Sequence, residues 1–412
     1  MRDGQEICTV ANETGEYQPR AWDIPAGPLG IISLDGSREL AGLLDEKILE
    51  RRQEHLTENP DLITLKGFMR ASYLLSATIS RFASGEGKVV LNETIRGHDI
   101  YILADIGNYS CTYNMYGTPQ RMSPDDHYQD IKRVIGAIGG KARRINVIMP
   151  LLYEGRQHKR YARESLDCAM ALQELLHLGV SNIITFDAHD PRVQNAIPLE
   201  GFESLQAHYQ LLKALLRTEK DLIIDRDHMA VVSPDEGGME RNIYFAGILG
   251  LDLGMFYKRR DYTRVVDGRN PIVRHEYLGD EIAGKDILIA DDIISSGESV
   301  LEIAMELKER KARRIFVMVT FAQLTQGIGA FDRAYRDGII TRLVATNLTY
   351  RPPELLAAPW YLDADLSKFL SFLVDTLNHD GSISPLINPS DKIKTLLSIY
   401  RSNCVQGRIA GG

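Results

Sequence analysis

The chain has 412 residues, a formal net charge of -8 and 44% hydrophobic residues, enough length for two domains and enough apolar content to give each a core. Disorder and collagen-like structure are excluded, and the 25% of charged residues, of mixed sign along the chain, argue against a protein whose main task is to hold a nucleic-acid backbone. Small molecules and other subunits are the expected partners. Cys8, Cys111, Cys168 and Cys404 are far apart and form no CxxC pair, so neither a disulfide framework nor a zinc site is expected. No stretch approaches the ~18 apolar residues of a membrane span, and Met1 to Glu6 lacks the apolar block of a signal peptide. A cytoplasmic protein without membrane contact is expected.

In chain order, β-rich runs alternate with segments of helical period: Gly30 to Ser33 then Glu39 to Arg52, Asp99 to Ala104 then Tyr128 to Ile138, Ile145 to Met149 then Glu164 to Leu178. The second half repeats the plan, with strands at Ile183 to Phe186, Met229 to Val232 and Ile287 to Ala290, and helices at Gly238 to Leu249 and Ser299 to Glu309. Such alternation predicts mainly parallel sheets flanked by helices, in two α/β domains in tandem joined near Pro198 to Leu205. The expected division is an arm at 1–27, a domain at 28–198 with an inserted loop at 108–124, a second domain at 199–350 and an extension at 351–412.

The strongest local signal is Ile287-Leu-Ile-Ala-Asp291-Asp292-Ile-Ile-Ser295-Ser296-Gly297-Glu298-Ser299. A buried strand ends in two carboxylates, and a turn of small hydroxyl residues and glycine then opens a helix, where backbone N–H groups and the helix dipole suit a phosphate. The carboxylates stand where a strand end opens into a crevice, a position for sugar hydroxyls or a metal. A capped helix after an acidic turn is the plain alternative for such a short pattern. A second strand end reads Thr185-Phe-Asp187-Ala-His189-Asp190; in extended geometry Asp187 and His189 project to one side and could share a divalent ion, although Mg²⁺ prefers oxygen. Val231-Val-Ser233-Pro-Asp235-Glu-Gly237-Gly238 is a third acidic strand end before a helix. Basic clusters at Lys258-Arg259-Arg260 and Arg156-Gln157-His158-Lys159-Arg160 complement these acids. In a chain of net negative charge they suit a polyphosphate substrate, although singly each reads as a solvated turn. No Walker sequence or kinase glycine-rich loop occurs.

Taken in order, these segments resemble the ribose-phosphate pyrophosphokinase (phosphoribosyl pyrophosphate synthetase) family. The resemblance begins at Gly30-Ile-Ile-Ser33, includes Arg81-Phe82-Ala83-Ser84-Gly85-Glu86-Gly87-Lys88 and Asn92-Glu-Thr-Ile-Arg-Gly97, and covers roughly residues 29 to 350. It implies two tandem phosphoribosyltransferase-like domains and an enzyme, a ribose-phosphate diphosphokinase of nucleotide biosynthesis. Such an enzyme moves the pyrophosphoryl group of MgATP to ribose 5-phosphate, giving phosphoribosyl pyrophosphate and AMP. On this resemblance Lys258 and Arg260 are catalytic, acting on the charge of the transferred group. Phe82, Ser84, Glu86, Arg156 and Gln157 bind ATP, with Phe82 stacked on adenine. Asp291, Asp292, Ser295, Ser296, Gly297 and Ser299 bind ribose 5-phosphate, and His189, Asp235 and Asp187 hold Mg²⁺. It also implies a homo-oligomer.

The departures from the family pattern are Ser84 in the adenine segment, His158 in place of an aspartate, and Glu298 in the phosphate loop. A carboxylate ~5 Å from the phosphate at an effective dielectric of ~20 costs about 3 kcal/mol, so either Glu298 points away or the ligand differs. A catalytically weak regulatory paralogue that binds nucleotide or sugar phosphate, and a phosphoribosyltransferase that consumes phosphoribosyl pyrophosphate, remain the alternatives.

Overall fold

The structure, a computed structural model, describes residues 24–160, 162–260 and 272–410, with the backbone alone at 258–260, 272–275 and 403–410. The first half contains β1 (Leu29–Ser33), α1 (Arg38–Glu58), an antiparallel hairpin of β2 (Ala77–Arg81) and β3 (Gly87–Leu91), and β4 (Asp99–Leu103). A second hairpin of β5 (Thr112–Met115) and β6 (Thr118–Arg121) precedes α2 (Pro124–Ile138), β7 (Arg144–Ile148), α3 (Asp167–His177), β8 (Asn182–Phe186) and β9 (Gly201–Leu205). The main strands pair in parallel in the order β1-β4-β7-β8-β9.

The second half contains α4 (His208–Thr218), β10 (Met229–Ser233), α5 (Met239–Leu249), β11 (Asp252–Arg260), β12 (Ile272–Leu278), β13 (Asp286–Ile294), α6 (Glu298–Glu309) and β14 (Ile315–Ala322). It closes with α7 (Gly329–Arg336), β15 (Arg342–Thr346), α8 (Pro353–Leu356), β16 (Tyr361–Ala364), α9 (Ser367–Asn378), α10 (Ser384–Ile387) and α11 (Ser390–Ala410). Its sheet runs β12-β11-β10-β13-β14-β15-β16, parallel except for the β11–β12 pair. All eight residues of β14 are buried, as expected of a strand covered on both faces by helices. Among the described residues no helix is long and apolar enough to cross a membrane.

Helix α2 shows how the sequence sets its own limits. Ser123 and Asp126 form a reciprocal capping box, Pro124 occupies the first turn, and Gly139, at φ +56, ends the helix in the left-handed conformation. Between these ends Ile131, Val134, Ile135 and Ile138 form the buried stripe, which packs on the outer face of the first sheet.

The structure departs from the expected division at three places. Gly201–Leu205, assigned by the sequence reading to the second domain that begins at 199, is β9, the edge strand of the first sheet; its ladder to β8 supplies the backbone hydrogen bonds. Residues 108–124 hold a paired hairpin rather than a bare loop. The stretch from 351 is no appendage: β16 completes the second sheet, and α9 returns to pack on α1 of the first domain. There Arg51 and Arg52 donate to Asp375 at 2.7 and 2.9 Å, and Arg52 also donates to Asn378 at 2.7 Å. Of the expected arm, residues 1–23 lie outside the described residues, and Ala26 is tied down by its N–H to the Asn378 carbonyl at 2.7 Å.

The two domains also meet at Asp105, which follows β4. Its carboxylate accepts from Thr349 Oγ1 at 3.0 Å and from the Tyr350 N–H at 2.8 Å, both beyond β15, and from the Gly107 N–H at 3.0 Å. Complete burial pushes this carboxyl up from 3.8 to about 7, against those three donors and the Arg351 charge. Since the folded value lies above the unfolded one, the contribution to stability is complete below about pH 4 and is lost as pH rises through about 7. Asp105→Asn should therefore flatten this part of the pH dependence, so that the loss of unfolding free energy between pH 5 and 8 is smaller by about 1–3 kcal/mol. Urea unfolding at the two pH values checks this, and equal slopes in both proteins would return the titration to other groups.

Candidate active site

Parallel strands place their C-terminal ends on one side of a sheet, and here the ends of β8 and β13, one from each domain, face each other. His189, three residues past β8, meets Asp292 near the end of β13 at 2.8 Å between Nδ1 and Oδ2. That contact crosses 103 positions of sequence and joins the two domains at the cleft. The hydrogen bond to Asp292 raises the His189 pKa against the opposing effect of burial. Asp292 itself is held down to about 2: burial opposes its ionisation, but His189 and Arg241 more than offset this.

Asp187 behaves differently from the sequence expectation. Extended geometry, which would have aimed it alongside His189, ends at Phe186; Asp187 has φ +45, in the left-handed region that a residue with a side chain rarely adopts. Its carboxylate, 4% exposed, accepts from Arg241 Nε and Nη2 at 3.1 and 2.7 Å, and from Thr320 Oγ1 at 2.7 Å. Asp187 and His189 are thus turned to different partners and do not form a shared ion site by themselves. Among the described residues no cluster of three or more His, Cys, Asp or Glu is gathered for a metal.

Arg241, on the first turn of α5, is the hub of the acidic ends. Besides Asp187 it stands 3.6 Å from Asp291 and 3.9 Å from Asp292. Asp291 also accepts from the Asp292 N–H at 2.9 Å; burial and the neighbouring Asp292 charge push its carboxyl well above the usual range. Asp235 contributes a further like charge to Asp291 and accepts from the Gly238 N–H at 3.1 Å, in the turn before α5. Next to Arg241, buried Asn242 donates to the Ala290 carbonyl at 2.7 Å and accepts from the Ala290 N–H at 3.0 Å, so α5 is locked to the strand that carries Asp291 and Asp292. Arg241, Asn242 and Thr320 were missed in the sequence reading. A readable signal was the Arg-Asn pair in the first turn of α5, beginning six residues after Asp235.

The cleft between the strand ends includes Arg156, Asp187, His189 and Asp292, and measures about 120 Å³. That holds a few waters, so substrates of nucleotide size must extend along the open surface. Arg156 is exposed at its rim, whereas Gln157 donates to the Ser165 carbonyl at 2.9 Å and so holds its own loop. His158 packs its ring 5.4 Å from that of His189 and reaches Asp190 at 3.3 Å. Phe82, Ser84 and Glu86 do not line this cleft. They form the tip of the β2–β3 hairpin, where Phe82 is 55% exposed and Ser84 Oγ donates to Glu86 at 3.0 Å. The backbone of Lys258 and Arg260 belongs to β11, on the side of β10 away from β13; their side chains lie outside the described residues.

The loop after β13 has the form of an anion cradle. Gly297 has φ +90, and a Cβ there would run into the Phe331 ring, so the turn into α6 requires glycine. Ser295 and Ser296 are half-buried, and Ser299 is exposed. Glu298, as expected, is exposed on the first turn of α6, where it accepts from Gln326 Nε2 at 3.2 Å. Glu298→Gly should therefore cost only a few tenths of a kcal/mol and leave the KM for ribose 5-phosphate within about twofold. A KM change of about tenfold in either direction would place the carboxylate against the substrate instead.

Comparison with known proteins agrees with this geometry. Residues 29–179 match the N-terminal domain of ribose phosphate pyrophosphokinase, and residues 201–331 match the phosphoribosyl transferase domain. A ribose-phosphate pyrophosphokinase of Vibrio cholerae is 27% identical over 318 residues, covering 76% of this chain and 91% of the relative. One of Thermosipho africanus is 29% identical over 281 residues, covering 67% of this chain and 79% of the relative. The crystal structure of phosphoribosylpyrophosphate synthetase from Mycobacterium smegmatis has the same fold, with a TM-score of 0.65 at 19% identity over 86% of this chain and 99% of that one. With both domains matched in order and the acidic strand ends facing across one cleft, the chain belongs to the ribose-phosphate pyrophosphokinase family.

Proposed function

We propose that the chain is an active ribose-phosphate diphosphokinase, which transfers the β,γ-pyrophosphoryl group of MgATP to the anomeric hydroxyl of ribose 5-phosphate and releases AMP. The observation that carries this reading is the His189–Asp292 contact, which sets the acidic end of the first sheet against the sugar-phosphate end of the second. Asp291 and Asp292 accept hydrogen bonds from the ribose hydroxyls, and the 295–299 loop with the α6 N-terminus receives the 5-phosphate. Arg156 at the rim meets the phosphates of ATP, with Phe82 stacked on adenine. Lys258 and Arg260 stabilise charge on the transferred group as the bond to the α-phosphate breaks.

Magnesium would be held here as part of MgATP. The donor set fits a cation that keeps most of its ligands from water and phosphate: Asp291 is buried beside a like charge that a cation would relieve, and Asp235 and the unengaged Nε2 of His189 are the remaining protein donors. Asp187, spent on Arg241 and Thr320, positions rather than ligates. When bound, the ion would supply neutralisation of phosphate charge, while these residues orient the two substrates. His189→Ala should raise the Mg²⁺ concentration for half-maximal rate by about tenfold, and an unchanged metal titration would make His189 a packing residue.

Glu298, the feature that favoured a weak regulatory paralogue, faces Gln326 and solvent, which supports the active reading. We include a homo-oligomer in the proposal, to be checked by light scattering. The function is tested by AMP release that depends on ribose 5-phosphate; ATP consumption independent of the sugar, or none with it, would count against it.

A further inference from the structure

We infer that the β5–β6 hairpin is a positioning element for the nucleotide: its tip braces the turn of the β2–β3 hairpin and so sets the affinity for ATP. The brace itself stands on contacts alone. Its effect on ATP rests on the proposed function, which gives Phe82, Ser84 and Glu86 to the nucleotide.

None of residues 112–121 is buried, so this hairpin adds nothing to the core. A hairpin that merely covered the domain would bury side chains of its own, and a two-stranded hairpin alone is marginal in water. What it does is carry a tip to one place. The tip is Tyr116-Gly117, both at positive φ (+48 and +79), as a tight two-residue turn requires. There it meets the other hairpin twice. The Tyr116 N–H donates to the Ala83 carbonyl at 2.8 Å, and Met115 lies so close over Gly85 that a Cβ there would fall 2.8 Å from its Sδ. One strand position back, the Tyr113 ring centroid stands 5.4 Å from the Arg81 guanidinium.

The β2–β3 turn is the kind of segment that gains from such support. Phe82, Ala83, Ser84 and Glu86 are exposed and bury nothing that would fix the turn. Within it the Phe82 N–H donates to the Glu86 carbonyl and the Gly85 N–H to the Phe82 carbonyl, both at 2.8 Å. Its base is anchored, since Arg81, the residue before Phe82, donates twice to Asp130 of α2 at 2.7 Å. Its far side, Ala83 and Gly85, is held by the β5–β6 tip. Fastened at both sides, the turn keeps one shape while its side chains stay free to meet a ligand. A loose turn would have to be ordered at the expense of binding; a braced one is ordered beforehand. The brace uses the Tyr116 backbone and the Met115 side chain, and leaves the 81% exposed Tyr116 ring to solvent.

The hairpin can be clipped out cleanly, because its ends already touch: the Met122 N–H donates to the Cys111 carbonyl at 2.9 Å. The test replaces residues 112–121 of the full chain by Asn-Gly, a two-residue turn. Amide hydrogen exchange at Phe82 and Gly85 should quicken by about tenfold or more, and the KM for MgATP should rise by about tenfold. The kcat and the KM for ribose 5-phosphate should stay within about threefold, a split that a general loss of structure would not give. Met115→Ala should move exchange and the KM for MgATP part of the way, and Met115→Leu should restore both. Tyr116→Asn, which keeps the N–H and tolerates positive φ, should match wild type within about twofold. Unchanged exchange in both the clipped chain and Met115→Ala overturns the brace. A clipped chain with wild-type KM for MgATP, while Phe82→Ala raises it, overturns the inference and leaves the proposed function standing. If Phe82→Ala also leaves that KM unchanged, the assignment of the turn to adenine fails, and the effect on ATP falls with it. A Tyr116→Asn variant that reproduces the clipped chain would put the ring itself on the nucleotide and overturn the brace.

Discussion

Arg241→Ala should destabilise the fold by about 3–5 kcal/mol and lower turnover by about 100-fold or more in whatever protein remains folded. The guanidinium is the partner of a 4% exposed Asp187 and stands within 4 Å of Asp291 and Asp292, so its removal leaves three carboxylates close together with one cation fewer. Burial opposes the Arg241 charge, but Asp187, Asp292 and Asp291 hold it firmly protonated. Asp187→Asn added to Arg241→Ala should recover part of the stability, because the largest uncompensated charge is then gone, without recovering turnover. Arg241→Lys should keep charge but lose the bidentate grip, with an intermediate outcome. Urea unfolding and steady-state kinetics on the variants check this. A wild-type stability for Arg241→Ala would mean that the acidic ends are organised by something else.

Lys258→Ala and Arg260→Ala should each lower kcat by about 100-fold or more with a smaller effect on the KM for ATP, because both are assigned to charge that grows as the pyrophosphoryl group leaves AMP. β11 extends past the end of its ladder with β10 and holds them in its antiparallel pairing with β12, just before the stretch at 261–271, which lies outside the described residues. Circular dichroism should show an unchanged fold in both. Near-normal turnover in both variants would remove them from the chemistry.

The parallel architecture and the strand ends were legible in the sequence because each depends on local pattern: continuous apolar runs for β8, β10 and β13, and an acid-then-glycine turn for the start of α6. The helix start of α2 could equally be read from Ser123, Pro124 and Asp126. What escaped depends on partners distant in sequence. Helix α1 buries Asp45 and Arg52 among its leucines: Asp45 accepts from Ser72 Oγ and the Tyr73 N–H, and Arg52 makes sense only once it meets Asp375, 323 positions on. The return of α9 to the first domain was invisible for the same reason. β9 is a five-residue edge strand, Gly-Phe-Glu-Ser-Leu, with too little periodicity to reveal its sheet.

The site divided along the same line. His189 and Asp292 were picked from two local motifs, but their contact had no signature in either. Asp187 was expected to share an ion with His189 because two-residue spacing puts side chains on one face of a strand; the strand stops one residue too early, and the positive φ turns Asp187 to Arg241 and Thr320 instead. Glu298 shows the reverse case, in which the repulsion expected between its carboxylate and a bound phosphate already favoured the outward direction that it takes, toward Gln326.

The most direct test of the central claim is phosphorus NMR of the sugar product formed by the purified chain from MgATP and ribose 5-phosphate. The account predicts one 5-phosphate resonance and a coupled pair from an intact pyrophosphate on the anomeric oxygen, with one AMP released per sugar converted. A product that carries a single added phosphate with ADP released, or an unmodified sugar, would contradict pyrophosphoryl transfer.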